Sequence, residues 1–200
     1  MQSISRNAVR LQRLTNDILD VTRIDSHTLN LHKDQFNIGN LLAYIVQDYV
    51  GYIEKENQNV KLFYNFKQDD PLPINADEDR IIQVISNLLN NAVKFTSKKR
   101  KGVISVSAER KKEEVIVIIK DTGEGINPEI LPRLFTKFAT RSFSGTGLGL
   151  YISKSIVEAH GGKMWAENNP DGEGATFTFT LPLSSSNSRK TIMFSRKDDR

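Results

Sequence analysis

The 200-residue sequence contains no cysteine, and no apolar run in it approaches the roughly 20 residues that span a membrane. Without cysteine there is no disulfide framework and no thiolate zinc site, so the fold depends on a hydrophobic core. The first residues also lack the basic and then apolar pattern of a signal peptide. We therefore expect a chain that makes no direct membrane contact.

Outside residues 185–200, the sequence also has almost no net charge. The chain carries 28 Lys/Arg and 24 Asp/Glu, and the excess lies in residues 185–200, where five basic side chains face two acidic ones. The Ser-rich, basic stretch 184–200 predicts a disordered tail. The basic runs 98–101 and 110–112 fall at predicted loops and are interpreted as solvated, so we expect no nucleic-acid partner.

The first 25 residues carry a narrow apolar stripe at helical spacing, typical of a helical bundle or coiled coil. Its members are Ile4, Ala8, Leu11, Leu14, Ile18, Val21 and Ile24. A single helix of this kind is marginal in water, so it needs a partner. One candidate partner is the same helix of a second copy, which gives a homodimer through residues 1–25.

The remaining segments predict alternating helices and strands. Helices are expected at 38–55, 77–95, 129–135 and 148–159, and strands at 60–66, 104–110, 115–120, 163–167 and 175–181. Asn37 is the predicted cap of the helix at 38, Gly161-Gly162 ends the last helix, and residues 69–73 form a turn. This order predicts an α+β fold, a two-layer α/β sandwich with a mixed sheet covered by helices on one face, preceded by one bundle-type helix.

Three polar side chains, Asn87, Asn91 and Lys94, share one side of the helix 77–95. They lie away from its predicted buried face, formed by Ile81, Ile85, Leu88, Leu89 and Ala92. An amide oxygen can ligate Mg²⁺ and a lysine can neutralise phosphate, so the stripe suits a metal–phosphate site. Taken alone, the stripe fits a solvated helix face better.

Asp121 directly follows the apolar strand 115–120 and is followed by Gly123 and Gly125. A carboxylate there can accept a hydrogen bond from an exocyclic amine such as that of adenine, and glycines allow the backbone to approach a flat ligand. Taken alone, the same residues also fit an ordinary Asp-Thr-Gly turn.

The segment Gly145-Thr146-Gly147-Leu148-Gly149-Leu150 opens the helix 148–159. Glycine-rich backbone at a helix N-terminus presents unpaired N–H groups to anions, which indicates a phosphate site. No strand precedes the glycines, their spacing is G-x-G-x-G, and no Gly-Lys-Ser/Thr follows. A dinucleotide fingerprint and a P-loop are therefore disfavoured.

In this order the motifs resemble those of one family. Residues 87–95 resemble the asparagine box of histidine kinases, 121–125 and 145–150 their two glycine boxes, 135–138 their phenylalanine box and 174–182 their closing strand. Over residues 1–183 the chain resembles the ATP-binding catalytic domain of sensor histidine kinases. That fold is shared with type II topoisomerases, mismatch-repair ATPases and a heat-shock chaperone. Residues 1–30 would be the second helix of the dimerisation hairpin and 31–183 the catalytic domain.

The resemblance implies ATP and Mg²⁺ as cofactors and a role for each matching residue. The catalytic set is Asn87, Asn91 and Lys94, with Asn91 as the Mg²⁺ ligand and the other two beside the triphosphate. The base-binding set is Phe95, Asp121, Gly123, Gly125, Ile126 and Thr176, with Asp121 on the adenine amine. The phosphate-binding set is Gly145, Thr146, Gly147, Leu148 and Gly149. Residues 126–146 would be a mobile lid, which we expect Phe135 and Phe138 to anchor to the core.

Asn87 separates two activities within this fold. Related hydrolases carry a glutamate at the matching position, where it acts as general base on water, and an asparagine cannot do so. The sequence therefore predicts transfer of the γ-phosphoryl to an imidazole rather than to water.

The acceptor histidine of the family precedes an acidic residue on the first hairpin helix, and His27, His32 and His160 do not match it. We expect all three to be structural, with His160 as a C-terminal cation or a hydrogen-bonded cap. The acceptor would then lie elsewhere in a longer kinase, of which this chain is the C-terminal part, or on a partner if the chain is a short protein acting in trans. The other expected partner is a response regulator, and the expected location is the cytoplasm, alone or as part of a membrane-bound sensor.

Two other functions stay open. The chain could be a catalytically silent nucleotide-binding scaffold that docks a response regulator, although the intact Asn91, Asp121 and glycine loops argue against a dead pocket. It could also phosphorylate serine, as anti-sigma kinases do, although the helix 1–25 is foreign to that group.

Overall fold

The computed structural model describes residues 2–55, 59–65, 71–96, 101–140 and 145–184, with residues 2–10 as backbone only. These ranges form four α-helices, seven strands and one 3-10 turn. The helices are α1 Gln2–Asp25, α2 Ile38–Lys55, α3 Glu78–Thr96 and α4 Gly149–Ala159, and the 3-10 turn is Leu131–Arg133. The strands are β1 Asp34–Asn37, β2 Val60–Asn65, β3 Pro73–Ala76, β4 Gly102–Lys111, β5 Glu114–Asp121, β6 Met164–Asn168 and β7 Ala175–Pro182.

Five strands form one mixed sheet in the order β2-β4-β5-β7-β6. β2 runs parallel to β4, and the other neighbours are antiparallel. Along β5 the buried residues occupy every second position, Val115, Val117 and Ile119, because successive side chains point to opposite faces. Helices α2, α3 and α4 pack on that buried face. The predicted α+β two-layer sandwich is therefore confirmed.

The predicted buried face of α3 is also confirmed. Ile81, Ile85 and Leu89 are fully buried, and Leu88 and Ala92 are almost so. Each large aliphatic side chain removed from water in this way contributes roughly 1.5–3 kcal/mol. The burial directs the opposite side of α3, with its asparagines, toward the glycine loop.

Helix ends follow the predicted signals. The Asn37 side-chain oxygen accepts a hydrogen bond from the Gly39 N–H at 2.8 Å, so Asn37 caps α2 as predicted. At the end of α4 the Gly161 N–H donates to the Glu158 carbonyl and the Gly162 N–H to the Val157 carbonyl, with Gly161 at φ +82°. This pair of bonds is the Schellman motif, which confirms that the two glycines end the helix.

A short two-stranded ribbon, β1 with β3, was not predicted. The polar stretch before residue 38 contains β1, and Pro73, predicted in a turn, begins β3. Four-residue strands are too short to show a period in the sequence, and backbone pairing with a distant segment creates them.

The helix predicted at 129–135 is wrong, because only the 3-10 turn Leu131–Arg133 forms there. Pro132 has no N–H to donate to the carbonyl four residues earlier, and its ring disfavours a continued α-helix. The buried side chains of this segment are Ile130 and Leu134.

The apolar stripe of α1 is partly packed against the core and partly exposed to solvent. Val21 and Ile24 pack against the core of the same chain, whereas Leu11 and Ile18 are 65% and 52% exposed. Among the stripe residues whose side chains are described, the core of this chain therefore covers those at the C-terminal end. The homodimer stays a prediction.

Some predicted features lie outside the described residues. These are the side chains of Ile4 and Ala8, Phe66 of the predicted strand 60–66, Asp69 and Asp70 of the predicted turn, residues 98–100 of the basic run, residues 141–144 of the predicted lid and the tail from 185 on. Of the helices that are described, none is long and apolar enough to cross a membrane.

Candidate functional site

The polar stripe of α3 faces the glycine loop, which we define as residues 145–149. The Asn87 side-chain nitrogen donates to the Ser153 hydroxyl of α4 at 2.9 Å, and its amide fills the space where a side chain on Gly149 would begin. Lys94 reaches the other end of the loop, since its ammonium nitrogen lies 3.7 Å from where a Cβ on Gly145 would be. Asn91 lies between Asn87 and Lys94 on the same stripe and is half-buried.

The glycine loop has no room for side chains at two of its glycines. A Cβ on Gly147, whose φ is +69°, would lie 2.7 Å from the carbonyl carbon of Phe138, and one on Gly149 would overlap the Asn87 amide. Leu148 is buried and is the N-cap of α4, and no side chain caps the helix. The first-turn N–H groups of α4 are therefore directed at the loop, in the manner of an anion site.

Asp121 ends β5 and is buried. One of its carboxylate oxygens accepts the Gly123 N–H at 2.7 Å, which fixes the orientation of the carboxylate. A Cβ on Gly123 would lie 2.9 Å from the Phe95 carbonyl oxygen, so the backbone after Asp121 passes directly against the end of α3. Phe95 itself is half-buried, with the Lys94 ammonium 5.3 Å from its ring centre.

Thr176 is joined to Asp121 through the side chain of Asn169. Its hydroxyl donates to the Asn169 side-chain oxygen at 2.7 Å, and the Asn169 amide nitrogen donates to the Asp121 main-chain carbonyl at 2.8 Å. The neighbouring Asn168 bonds both main-chain groups of Ile126. Sequence reasoning missed both asparagines, because residues 168–174 were interpreted only as a turn.

Thr146 contacts α1, which the sequence did not predict. Its hydroxyl donates to the Asp17 carboxylate at 3.0 Å and accepts the Leu148 N–H at 3.2 Å. Burial raises the pKa of Asp17, while the Thr146 hydrogen bond and the charge of Arg13 act in the opposite direction. A helix carboxylate therefore lies at the edge of the glycine loop.

The expected anchoring of the lid by two phenylalanines is half correct. Phe135 is half-buried against the core, with the Lys154 ammonium 5.2 Å from its ring centre. Phe138 is 69% exposed, so its predicted anchoring role is wrong. Phe138 has a φ of +63°, and its backbone lies directly against Gly147. The buried Ile130 and Leu134 share the anchoring with Phe135.

The site therefore brings together residues from three distant parts of the chain. α3 supplies Asn87, Asn91 and Lys94, the end of β5 supplies Asp121, and the glycine loop opens α4. A family model described as histidine kinase-, DNA gyrase B- and HSP90-like ATPase matches residues 76–185, which include all of these. The chain belongs to this ATPase family.

Within the family the chain is similar to histidine kinases. The sensor histidine kinase WalK of Bacillus subtilis strain 168 is 34% identical over 179 residues, which make up 86% of this chain and 28% of WalK. The catalytic domain of histidine kinase ThkA is 32% identical with a TM-score of 0.67, covering 76% of this chain and 96% of that domain. ThkA in complex with the response regulator protein TrrA is 29% identical with a TM-score of 0.67, covering 87% of this chain and 49% of the ThkA chain.

These similarities identify an ATP-binding domain of the histidine kinase type. The chain spans less than a third of the length of WalK. The asparagine and glycine motifs of the sequence lie within the residues that the family model matches.

Proposed function

We propose that this domain binds ATP with Mg²⁺ and donates the γ-phosphoryl to a histidine imidazole. One observation carries the proposal: the stripe of α3 lies along the glycine loop, with Asn87 against Gly149 and Lys94 beside Gly145. The same helix ends against the backbone that follows Asp121. A base at Asp121 and phosphates at the glycine loop are then the two ends of one ligand.

The residues fit a triphosphate. Glycines keep side chains away from the loop backbone, α4 begins without a side-chain cap, and the Lys94 ammonium supplies positive charge. All three features stabilise an anion. At the other end, the oriented carboxylate of Asp121 would accept a hydrogen bond from the adenine amine.

The residues also fit Mg²⁺. The ion prefers oxygen ligands, takes few of them from the protein and keeps phosphate oxygens and waters. Asn91 would hold it through its amide oxygen, since the Asn87 amide already contacts Ser153 and Gly149. When bound, Mg²⁺ neutralises charge on the phosphate oxygens.

The side chains of the site would position the triphosphate and neutralise its charge, and none of those named acts as a base on water. Asn87 has an amide where the related hydrolases have a carboxylate base, and its nitrogen is engaged by Ser153. Lys94 would stabilise charge on the phosphates as the acceptor approaches. An imidazole is a nucleophile without a general base, so this site suits it better than water.

We also propose the partners. We place the acceptor on a histidine outside these 200 residues, because His27 and His32 lie beyond the end of α1 with no acidic residue after them, and His160 is buried. The complex of ThkA with TrrA supports a response regulator as the downstream partner.

The test uses the full chain, ATP and Mg²⁺. We expect saturable ATP binding by calorimetry, no autophosphorylation, and acid-labile phosphate on an added helical hairpin that carries a histidine followed by an acidic residue. Asp121→Asn should abolish binding and transfer together.

Three outcomes would contradict the proposal. Rapid ATP hydrolysis without an acceptor would make the domain a hydrolase. Acid-labile phosphate on His27 or His32 would place the acceptor in this chain. Binding without transfer to any histidine-bearing hairpin would favour the scaffold that docks a response regulator.

A further inference from the structure

Two consecutive asparagines at the end of β6, Asn168 and Asn169, extend their side chains to the segment that follows β5. We call residues 121–126 the adenine loop, because it begins at Asp121 and ends where the lid begins. Asn169 bonds the first residue of this loop and Asn168 the last.

Asn169 is buried, and its amide can take only one orientation. Its nitrogen donates to two main-chain carbonyls, that of Asp121 at 2.8 Å and that of Glu173 at 2.6 Å. Because carbonyls only accept, the amide oxygen must face Thr176, whose hydroxyl donates to it at 2.7 Å. One side chain therefore joins β5, β7 and the turn between β6 and β7.

Asn168 is exposed and forms a two-bond clamp on one residue. Its oxygen accepts the Ile126 N–H at 2.6 Å, and its nitrogen donates to the Ile126 carbonyl at 2.8 Å. Gly125 has a φ of +74°, and a Cβ there would lie 2.9 Å from the Asn168 oxygen. The glycine is thus required for the clamp to close.

We propose that Asn168 and Asn169 are positioning residues that hold both ends of the adenine loop in the shape that binds the base. The proposal rests on the proposed function, that is, on ATP binding at this site. The Asp121 carboxylate is oriented by the Gly123 N–H, so its direction depends on the path of the loop between the two clamped ends. A loop that is already ordered spends no binding free energy on ordering itself.

The proposal predicts a specific pattern of affinities. The clamps act on the base end of the ligand, which is the same in ADP and ATP. Loss of either clamp should therefore reduce the affinities for ADP and for ATP by the same factor. We expect a factor of about ten, which corresponds to the loss of one or two hydrogen bonds. Loss of a phosphate contact such as that of Lys94 should reduce the affinity for ATP more than the affinity for ADP.

The experiment measures dissociation constants of the full chain for ADP and ATP with Mg²⁺ by calorimetry, together with the melting temperature without ligand. The variants are Asn168→Ala, Asn169→Ala and Thr176→Val, which removes only the hydroxyl that holds the Asn169 amide. Asn168→Asp keeps the acceptor for the Ile126 N–H and should recover part of the affinity. Asn40→Ala, exposed on α2, is the matched control and should bind as the wild type does.

A purely structural role would lower the melting temperature and leave the dissociation constants of the folded variants unchanged. Unchanged constants in folded Asn168→Ala and Thr176→Val would overturn this inference alone, even if Asn169→Ala does not fold. A wild-type chain that does not bind ATP with Mg²⁺ would overturn the proposed function and this inference with it.

Discussion

At the scale of single residues, two helical glycines lie in opposite surroundings. Gly149 begins α4, and a Cβ there would overlap the Asn87 amide. Gly51 lies inside α2, and beyond its own helix backbone no atom of the described residues lies within 4 Å of the position that a Cβ would take. Helix propensity favours alanine at both positions, so only the contact with Asn87 explains a glycine at 149.

We expect Gly149→Ala and Gly51→Ala to have opposite effects. The first should displace Asn87 from Ser153 and reduce ATP affinity at least tenfold. The second should raise the free energy of unfolding by about 0.5–1 kcal/mol and leave the affinity unchanged. Calorimetric titration with ATP and Mg²⁺ and urea unfolding measure the two quantities. ATP affinity retained in Gly149→Ala would show that Asn87 can move without loss.

At the scale of elements, carboxylates position α1 on the rest of the chain. Asp17 accepts from Thr146 of the glycine loop, and the buried Asp20 accepts from Arg80 and Gln83 of α3 at 2.8 and 2.7 Å. Asp25 accepts hydrogen bonds from Lys137 of the predicted lid and from the Tyr151 hydroxyl of α4. The Lys137 hydrogen bond lowers the pKa of Asp25, although this pair is exposed. One side of α1 therefore touches each element that borders the phosphate site.

We expect Asp20→Ala to loosen α1 specifically. Arg80 and Gln83 would lose a partially buried charged acceptor, which costs about 1.5–3 kcal/mol. Amide hydrogen exchange should accelerate in residues 11–25 and stay slow in β4, β5 and β7. The exposed Lys154–Glu158 pair of α4 provides the control, since Glu158→Ala should cost less than about 0.5 kcal/mol. Equal acceleration throughout the sheet would mean that Asp20 supports the whole core.

At the scale of the whole molecule, His160 joins the two helices that border the site. Its Nε2 accepts the Asp77 N–H at 3.0 Å, where α3 begins, and its Nδ1 lies 2.8 Å from the Ile156 carbonyl of α4. A carbonyl can only accept, so Nδ1 carries the proton and the ring is neutral. The cationic interpretation of His160 is therefore wrong and the hydrogen-bonded cap is confirmed. Burial lowers the pKa of His160, reinforced by the charge of Lys33, while the Ile156 bond and Asp77 oppose the shift.

This depressed pKa makes stability depend on pH in a defined direction. Below about 6.5 the unfolded chain binds a proton at His160 that the folded chain does not. The free energy of unfolding should therefore fall as the pH drops from about 6.5 toward the lowered folded pKa, by at most about 1.4 kcal/mol per pH unit. His160→Gln should reduce this slope in urea unfolding between pH 5 and 7, whereas Asn40→Ala, at an exposed position on α2, should keep it. An identical slope in His160→Gln would assign the dependence to other groups.

The sequence predicted most of the elements because their signals are local. The bounds of α2 match the prediction, since Asn37 caps it and the apolar period is regular along its length. The same holds for the glycines that end α4. The ribbon of β1 and β3 and the exposed Phe138 were not predictable in this way, because each depends on a segment far away in the chain.

The sequence by itself determined the α+β pattern, the buried face of α3 and the residue types of an ATP site, because periodicity, capping and glycine spacing are written within a few residues. The tertiary structure alone decided which groups share that site. It placed Asn87 against Gly149, brought Asp17 to Thr146, gave His160 a neutral ring and directed Asn168 and Asn169 to the two ends of the adenine loop. Such contacts arise from how the sheet and helices pack, and no spacing along the chain encodes them.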